Sequence, residues 1–258
     1  MYTGIFDTHA HYVHAKFDSD RKWLLEKALP EGGVTHVMLA GVTLEDSAQN
    51  IALAAQYETV YPSAGIHPLY VEGLPADWEA QLYALVSRPE VPAIGEAGLD
   101  FHLEEYDAGL QETVFRTQLR MAMELDKPVI LHIREATGRA LEILREHRGL
   151  RGVAHCFSGS KEVARELTDL GLYLGIGGSL TFENARKVIG AVEAMPLERL
   201  VFETDAPYLP PHPYKRKNRC DSRMIAITAE RAAQIRGTDA QTLIDAAREN
   251  AMQLFGIA

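Results

Sequence analysis

The chain has 258 residues, with 26 Lys and Arg against 36 Asp and Glu and a net charge of −10. This balance excludes a protein that grips nucleic acid through a broad basic face. It leaves room for local contact with phosphates through metal ions and a few basic side chains. The two cysteines, Cys156 and Cys220, are too few for a disulfide framework or a four-cysteine zinc site. Residues 1–11 read as a strand opening and not as a signal segment, and no apolar run approaches the roughly 20 residues that span a bilayer. The expectation is a cytoplasmic protein with no membrane contact and no obligate protein partner.

In chain order, Gly4–His9 reads as strand one and His36–Gly41 as strand two. Leu44–Gln56, rich in Ala and Leu, reads as a helix. Val60–Ile66 and Val91–Gly95 follow as strands three and four. In Leu110–Leu125, Phe115, Leu119 and Ala122 recur at i, i+4 and i+7, the period of a helix with one buried face. Strands five to eight are Pro128–Ile133, Gly152–Phe157, Leu172–Ile176 and Leu200–Thr204. Glu183–Met195 is helical up to Pro196, and Ser222–Phe255 reads as two helices split near Gly237. The strands are short apolar runs bounded by Gly, Pro or polar residues, as expected where both faces are buried. Eight strand–helix units predict an α/β protein, a closed (β/α)8 barrel forming a single domain over residues 1–258. An open doubly wound sheet is the alternative, weakened because no Gly-x-Gly-x-x-Gly follows the first strand.

Polar side chains collect at the strand ends. Asp7, His9 and His11 leave strand one, His67 strand three and Glu96 strand four. His132 and His155 close strands five and six, and Glu203 and Asp205 close strand eight. In a barrel these ends meet on one face, where such enzymes do their chemistry. His9 and His11 are two apart, so both imidazoles can share a face in extended backbone. A lone His at a strand end is usually only a polar surface residue, but His9, His11, Glu96, His132, His155 and Asp205 come from five separate strands. Imidazole and carboxylate ligands suit zinc, manganese or iron better than a thiolate-loving metal. Six such ligands suffice for two ions if one carboxylate bridges, and Glu96, central in strand order, is the candidate.

Lys215, Arg216, Lys217, Arg219 and Arg223 form the densest basic run. It follows strand eight, so phosphate positioning is weighed against a solvated loop. Arg134, two residues past His132, has a planar donor fork that can reach a phosphate or form a structural ion pair. Cys156 should alternate away from His155 and pack as a core thiol.

An ordered series of motifs then carries a resemblance. Asp-Thr-His-Ala-His at 7–11, Gly-Ile-His-Pro at 65–68 and Gly-Glu-Ala-Gly-Leu-Asp at 95–100 begin it. Pro-Val-Ile-Leu-His-Ile-Arg at 128–134, His-Cys-Phe-Ser-Gly at 155–159 and Glu-Thr-Asp-Ala-Pro-Tyr-Leu at 203–209 continue it, and residues 250–255 complete it. The sequence resembles the TatD family of metal-dependent deoxyribonucleases over nearly its whole length. The resemblance implies a TIM barrel and two divalent cations, such as zinc, magnesium or manganese. It assigns His9, His11 and Asp205 to one ion, His132 and His155 to the other, and Glu96 to both. It further implies exonuclease cleavage of phosphodiesters by a metal-activated water, with Asp205 as proton acceptor. His67 and Glu203 are placed near the metals, and Arg134, Lys215, Arg216 and Lys217 at the substrate. One departure is Cys220, which stands where Pro is common. The expected partner is a nucleic-acid substrate, DNA first and tRNA second. The competing readings are a carbonyl-directed hydrolase, such as a D-aminoacyl-tRNA deacylase or amidohydrolase, and a non-catalytic binding barrel.

Overall fold

The computed structural model describes residues 1–257. Its strands are Ile5–Ala10 (β1), Val34–Leu39 (β2), Val60–Ala64 (β3), Ala93–Asp100 (β4), Val129–Arg134 (β5), Gly152–Ala154 (β6), Tyr173–Ile176 (β7) and Leu200–Phe202 (β8). All pair in parallel with their chain neighbours, in the order β1 to β8. The ring closes between β8 and β1. Ala10 bridges Ala206, the His11 N–H donates to Ala206 O at 2.7 Å, and the Asp205 N–H donates to His9 O at 2.9 Å. Asp7 ties the same seam: Oδ1 accepts the Thr204 N–H at 3.0 Å and Oδ2 accepts its hydroxyl at 2.6 Å. The closed barrel, and not the open sheet, is therefore the fold.

Two apolar layers follow from strand alternation. Phe6, Met38, Ala93, Ile130, Val153, Tyr173 and Val201 fill the barrel's lower interior, plugged by Ala251, Leu254 and Phe255. Their outward neighbours, among them Ile5, Val37, Ile94, Val129 and Leu131, pack beneath the helices. Each fully buried aliphatic side chain contributes about 1.5–3 kcal/mol before entropy is counted. The polar strand ends can therefore be given over to a site without emptying the core.

The helices begin and stop on local chemistry. Thr43 caps Leu44–Ala54, Asp107 caps Ala108–Leu125 and Asp239 caps Ala240–Phe255, each side chain accepting a backbone N–H of the first turn. Gly237, at φ +62°, ends Ile225–Arg236, as its position in the tail predicts. Further helices at residues 21–31, Trp78–Val86, Thr137–Glu146, Lys161–Asp169 and Arg186–Ala194 complete the outer ring.

Two strand bounds depart from expectation in ways that matter. β4 does not stop at Gly95 but runs on to Asp100. β6 stops at Ala154, because Cys156 takes a left-handed φ of +47° that strand geometry does not permit. The alternation that sends Cys156 toward the helices therefore does not reach it. Cys156 is instead half-buried and lines a cavity beside His155.

Candidate metal centre

Strict alternation does not by itself aim the side chains of the centre. In β4, Ala93 faces the interior, so a regular strand would turn Glu96 toward the helices. The β4–β5 register shifts between Ile94 and Ala97, which turns Glu96 and Asp100 inward. A similar shift lies between Asp7 and Ala10 in β1. Irregularities of this kind re-aim side chains next to active sites. Gly98 lets the strands approach closely beyond the shift, since a Cβ there would lie 1.9 Å from His132 O.

The inward side chains gather around the buried Glu96 carboxylate. On one side of it, Oε2 lies 3.3 Å from His9 Nε2 and 3.9 Å from His11 Nε2. Asp205 Oδ1 is 3.2 Å from His11 Nε2 and 3.8 Å from His9 Nε2. On the other side, Oε1 lies 2.7 Å from His132 Nδ1, 2.9 Å from His155 Nε2 and 3.4 Å from His67 Nε2. The two carboxylate oxygens thus face two separate sets of nitrogens.

The donor chemistry fits cations. His132 Nε2 lies 2.9 Å from Asp100 Oδ2, so in the neutral ring that nitrogen carries the proton and Nδ1 presents a lone pair. That lone pair points at the Glu96 oxygen, and two acceptors at 2.7 Å repel unless a positive charge lies between them. His9 Nε2 is buried beside Glu96 with no hydrogen-bond partner. His9, His11 and Glu96 form one group able to hold an ion, and Glu96, His132 and His155 form another. Burial pushes the Glu96 carboxyl up, but the imidazoles of His155, His9 and His67 and the bond from His132 outweigh it and hold the group well below its ordinary value. The same field raises His155 despite its burial. Without an ion, protons supply the positive charge that the carboxylate demands.

The remaining predicted residues divide. Burial lowers the His67 pKa to about 4. Its Nδ1 accepts the Leu69 N–H at 3.0 Å, so Nε2 carries the proton toward the centre. Glu203 is not free in the mouth: Oε1 accepts the Cys156 N–H at 2.5 Å and lies 3.6 Å from His155 Nδ1. Gly175 makes room for it, because a Cβ there would sit 2.1 Å from Glu203 Oε2. Arg134 is half exposed and 4.0 Å from Asp100. Lys215, Arg216 and Lys217 are exposed on the loop after β8. Arg219 and Arg223 leave the basic run. Arg219 donates to both Asp20 oxygens at 2.7 and 2.5 Å, and Arg223 pairs with Asp221. Cys220 is buried, and its N–H donates to Pro207 O, so the loop keeps a packed anchor without a proline at that position.

Sequence reasoning missed Asp100, which orients His132. Its signal was the i, i+4 spacing from Glu96, readable only once β4 is known to continue. It also missed Tyr70 and Tyr208. Both are exposed, and they stand beside His67 and His11, with ring centroids 5.9 and 6.2 Å away. A larger cavity of about 730 Å³ opens elsewhere, among Tyr57, Lys127, Arg151 and Ile257, and no histidine or cysteine lines it.

A parallel barrel with this His–carboxylate cluster at the strand ends defines a metal-dependent hydrolase. The family described as TatD related DNase matches residues 6–256, and the chain belongs to it. The chain is 34% identical to the metal-dependent hydrolase YabD of Bacillus subtilis over 98% of its own length and 99% of that protein's. It is 37% identical to the 3'-5' ssDNA/RNA exonuclease TatD of Citrobacter koseri, covering 98% and 100%. The crystal structure of YJJV, a TatD homolog from Escherichia coli K12, superimposes over the full length of both chains with a TM-score of 0.94 at 29% identity. Among the described residues, no helix is long and apolar enough to cross a membrane.

Proposed function

We propose that this protein is a 3'-5' exonuclease of single-stranded DNA or RNA that works with two divalent cations in one barrel domain. The observation that carries the two-ion reading is the division of nitrogens between the Glu96 oxygens, with His9 and His11 on the Oε2 side and His132 and His155 on the Oε1 side. In this reading His9, His11 and Asp205 hold one cation, His132 and His155 the other, and Glu96 touches both. Bound cations would lower the pKa of a water and stabilise charge on the attacking and leaving oxygens of a phosphodiester.

The chain's own residues do the rest. Asp205, held below its ordinary pKa by the neighbouring histidines although burial opposes this, is an ionised acceptor for the proton of the attacking water. His67 presents its Nε2 proton to a non-bridging phosphate oxygen. Asp100 and Glu203 keep His132 and the loop after β6 in place. Tyr70 and Tyr208 offer faces on which bases stack, a contact worth about 1–3 kcal/mol per base and tolerant of sequence. The direction and strandedness rest on the relatives' named activity. Cys156 and Cys220 are both free, which fits a reducing cytoplasm.

The test incubates end-labelled single-stranded DNA and a D-aminoacyl-tRNA with metal-loaded and with chelated protein. Stepwise loss from the 3' end, abolished by chelation and restored by added metal, is the expected result. Deacylation without DNA cleavage would overturn the assignment.

A further inference from the structure

Beside the centre, a cavity of about 450 Å³ runs from His155, Cys156 and Arg134 to Ser158 and Lys187. Ser158 and Lys187 also line a second cavity of about 530 Å³, whose wall carries Ser179, Asn184, Arg186 and Arg216. The two cavities therefore adjoin, and together they lead away from the Oε1 side of Glu96 across the loops after β6 and β7.

The composition of the second cavity is unusual for this chain. The protein carries a net charge of −10, yet three cations and no carboxylate line this wall. Arg186, Lys187 and Arg216 have no ion-pair partner among the described residues, in contrast to Arg219 and Arg223. The Ser179 hydroxyl is buried at the same cavity and has no hydrogen-bond partner. A buried hydroxyl left unpaired costs about 1–3 kcal/mol, which a turn of the Ser179 side chain toward an acceptor in the cavity would relieve. Unpaired cations, an amide and hydroxyls converging on one hollow are the chemistry that binds phosphate oxygens. Phe182 on the same wall supplies an aromatic face for a base.

We infer that the loops after β6 and β7, with the first turn of the helix Arg186–Ala194, form a second phosphate subsite, built by Ser158, Ser179, Asn184, Arg186, Lys187 and Arg216, which holds the substrate strand by a backbone phosphate away from the scissile link. This rests on the nucleic-acid reading above. It differs in placing the grip mainly on the β7 loop, with only Arg216 drawn from the basic loop after β8.

The test is fluorescence anisotropy with a labelled single-stranded oligonucleotide on the full-length, chelated protein, so that binding is read without turnover. Lys187→Ala should raise Kd about 5- to 10-fold and flatten the dependence of log Kd on log salt by about 0.7, the share of a single phosphate on a single strand. Ser179→Val should raise Kd without changing that slope. Arg165→Ala removes the same charge from an exposed helix position that lines neither cavity and serves as control. A Lys187→Ala variant matching the control in both Kd and slope would overturn the subsite while leaving the nuclease reading intact. Wild-type protein that neither binds nor cuts the oligonucleotide would overturn both. Inorganic phosphate titrated alone and binding more tightly than the oligonucleotide would show a free-anion site and overturn the strand-holding role.

Discussion

Asp100 accepts the Nε2 proton of His132 at 2.9 Å, and that bond is what leaves Nδ1 facing Glu96. Carboxylates that orient a ligating histidine usually affect metal affinity or activity by about 10–100-fold. Asp100→Ala is accordingly expected to weaken cation binding by that order in a calorimetric metal titration, and an unchanged affinity would deny Asp100 its orienting role. Gly175 is the second residue-scale test. In Gly175→Ala the new Cβ competes with Glu203 Oε2 for the same space, displacing the carboxylate that accepts the Cys156 N–H. Overpacking of this kind costs about 1–3 kcal/mol, to be read as a lower urea midpoint. Residues such as His9, His132 and Asp205 are legible in the sequence because a polar side chain ending an apolar strand stands out. Asp100 and Gly175 are not. Their roles depend on a strand length and an inter-strand contact that no local pattern encodes.

At the scale of elements, the loop after β8 is held by a latch. Arg219 grips Asp20 with two nitrogens, donates to Lys16 O at 2.8 Å and covers the Phe17 ring at 4.8 Å. This joins the first βα loop to the last. Arg219→Ala should cost about 1 kcal/mol, since the pair is partly exposed to solvent. The bond from Arg219 is the main cause that lowers the Asp20 carboxyl below its ordinary 3.8. A carboxyl with a depressed folded pKa adds stability above its unfolded value and loses it as pH falls through the folded one. Melting temperatures of Arg219→Ala and wild type should therefore differ near pH 7 and converge as pH falls through the depressed folded value of Asp20. A constant gap would mean that the latch acts through packing alone. At the other end of the barrel, Lys127 Nζ donates to the carbonyls of Val86, Arg88 and Val91 at 2.6–2.7 Å. Lys127→Met would leave those oxygens short of a donor and should lower stability by about 1–3 kcal/mol in denaturant unfolding. The basic run reads in the sequence as one feature. It divides because Arg219 finds a carboxylate on the first βα loop, far away in the chain, a pairing that composition cannot reveal, while Lys215, Arg216 and Lys217 find none among the described residues.

At the scale of the whole molecule, eight short apolar runs alternating with helical stretches are enough to predict the closed barrel. That pattern leaves few ways to bury both faces of a parallel sheet. The register shifts in β1 and β4 are hidden, because a one-residue slip in a short strand changes no composition, yet they aim the centre. If cations complete the core of the barrel mouth, they also stabilise the fold. At a free concentration 100 times Kd the gain is about 2.7 kcal/mol for each bound ion, or roughly 5–10 °C in Tm per ion for a chain of this size. A melting temperature indifferent to chelation would argue that the cluster binds no ion in the folded protein. The central claim is that the Glu96 carboxylate organises hydrolysis of a nucleic-acid strand. It is tested most directly by the initial rate of 3'-end cleavage of labelled single-stranded DNA by metal-loaded wild type and by Glu96→Ala at matched fold stability. Glu96→Ala should be slower by at least about 100-fold, the loss that the proposed sharing of Glu96 between two cations predicts. Cleavage by Glu96→Ala at the wild-type rate would contradict the claim.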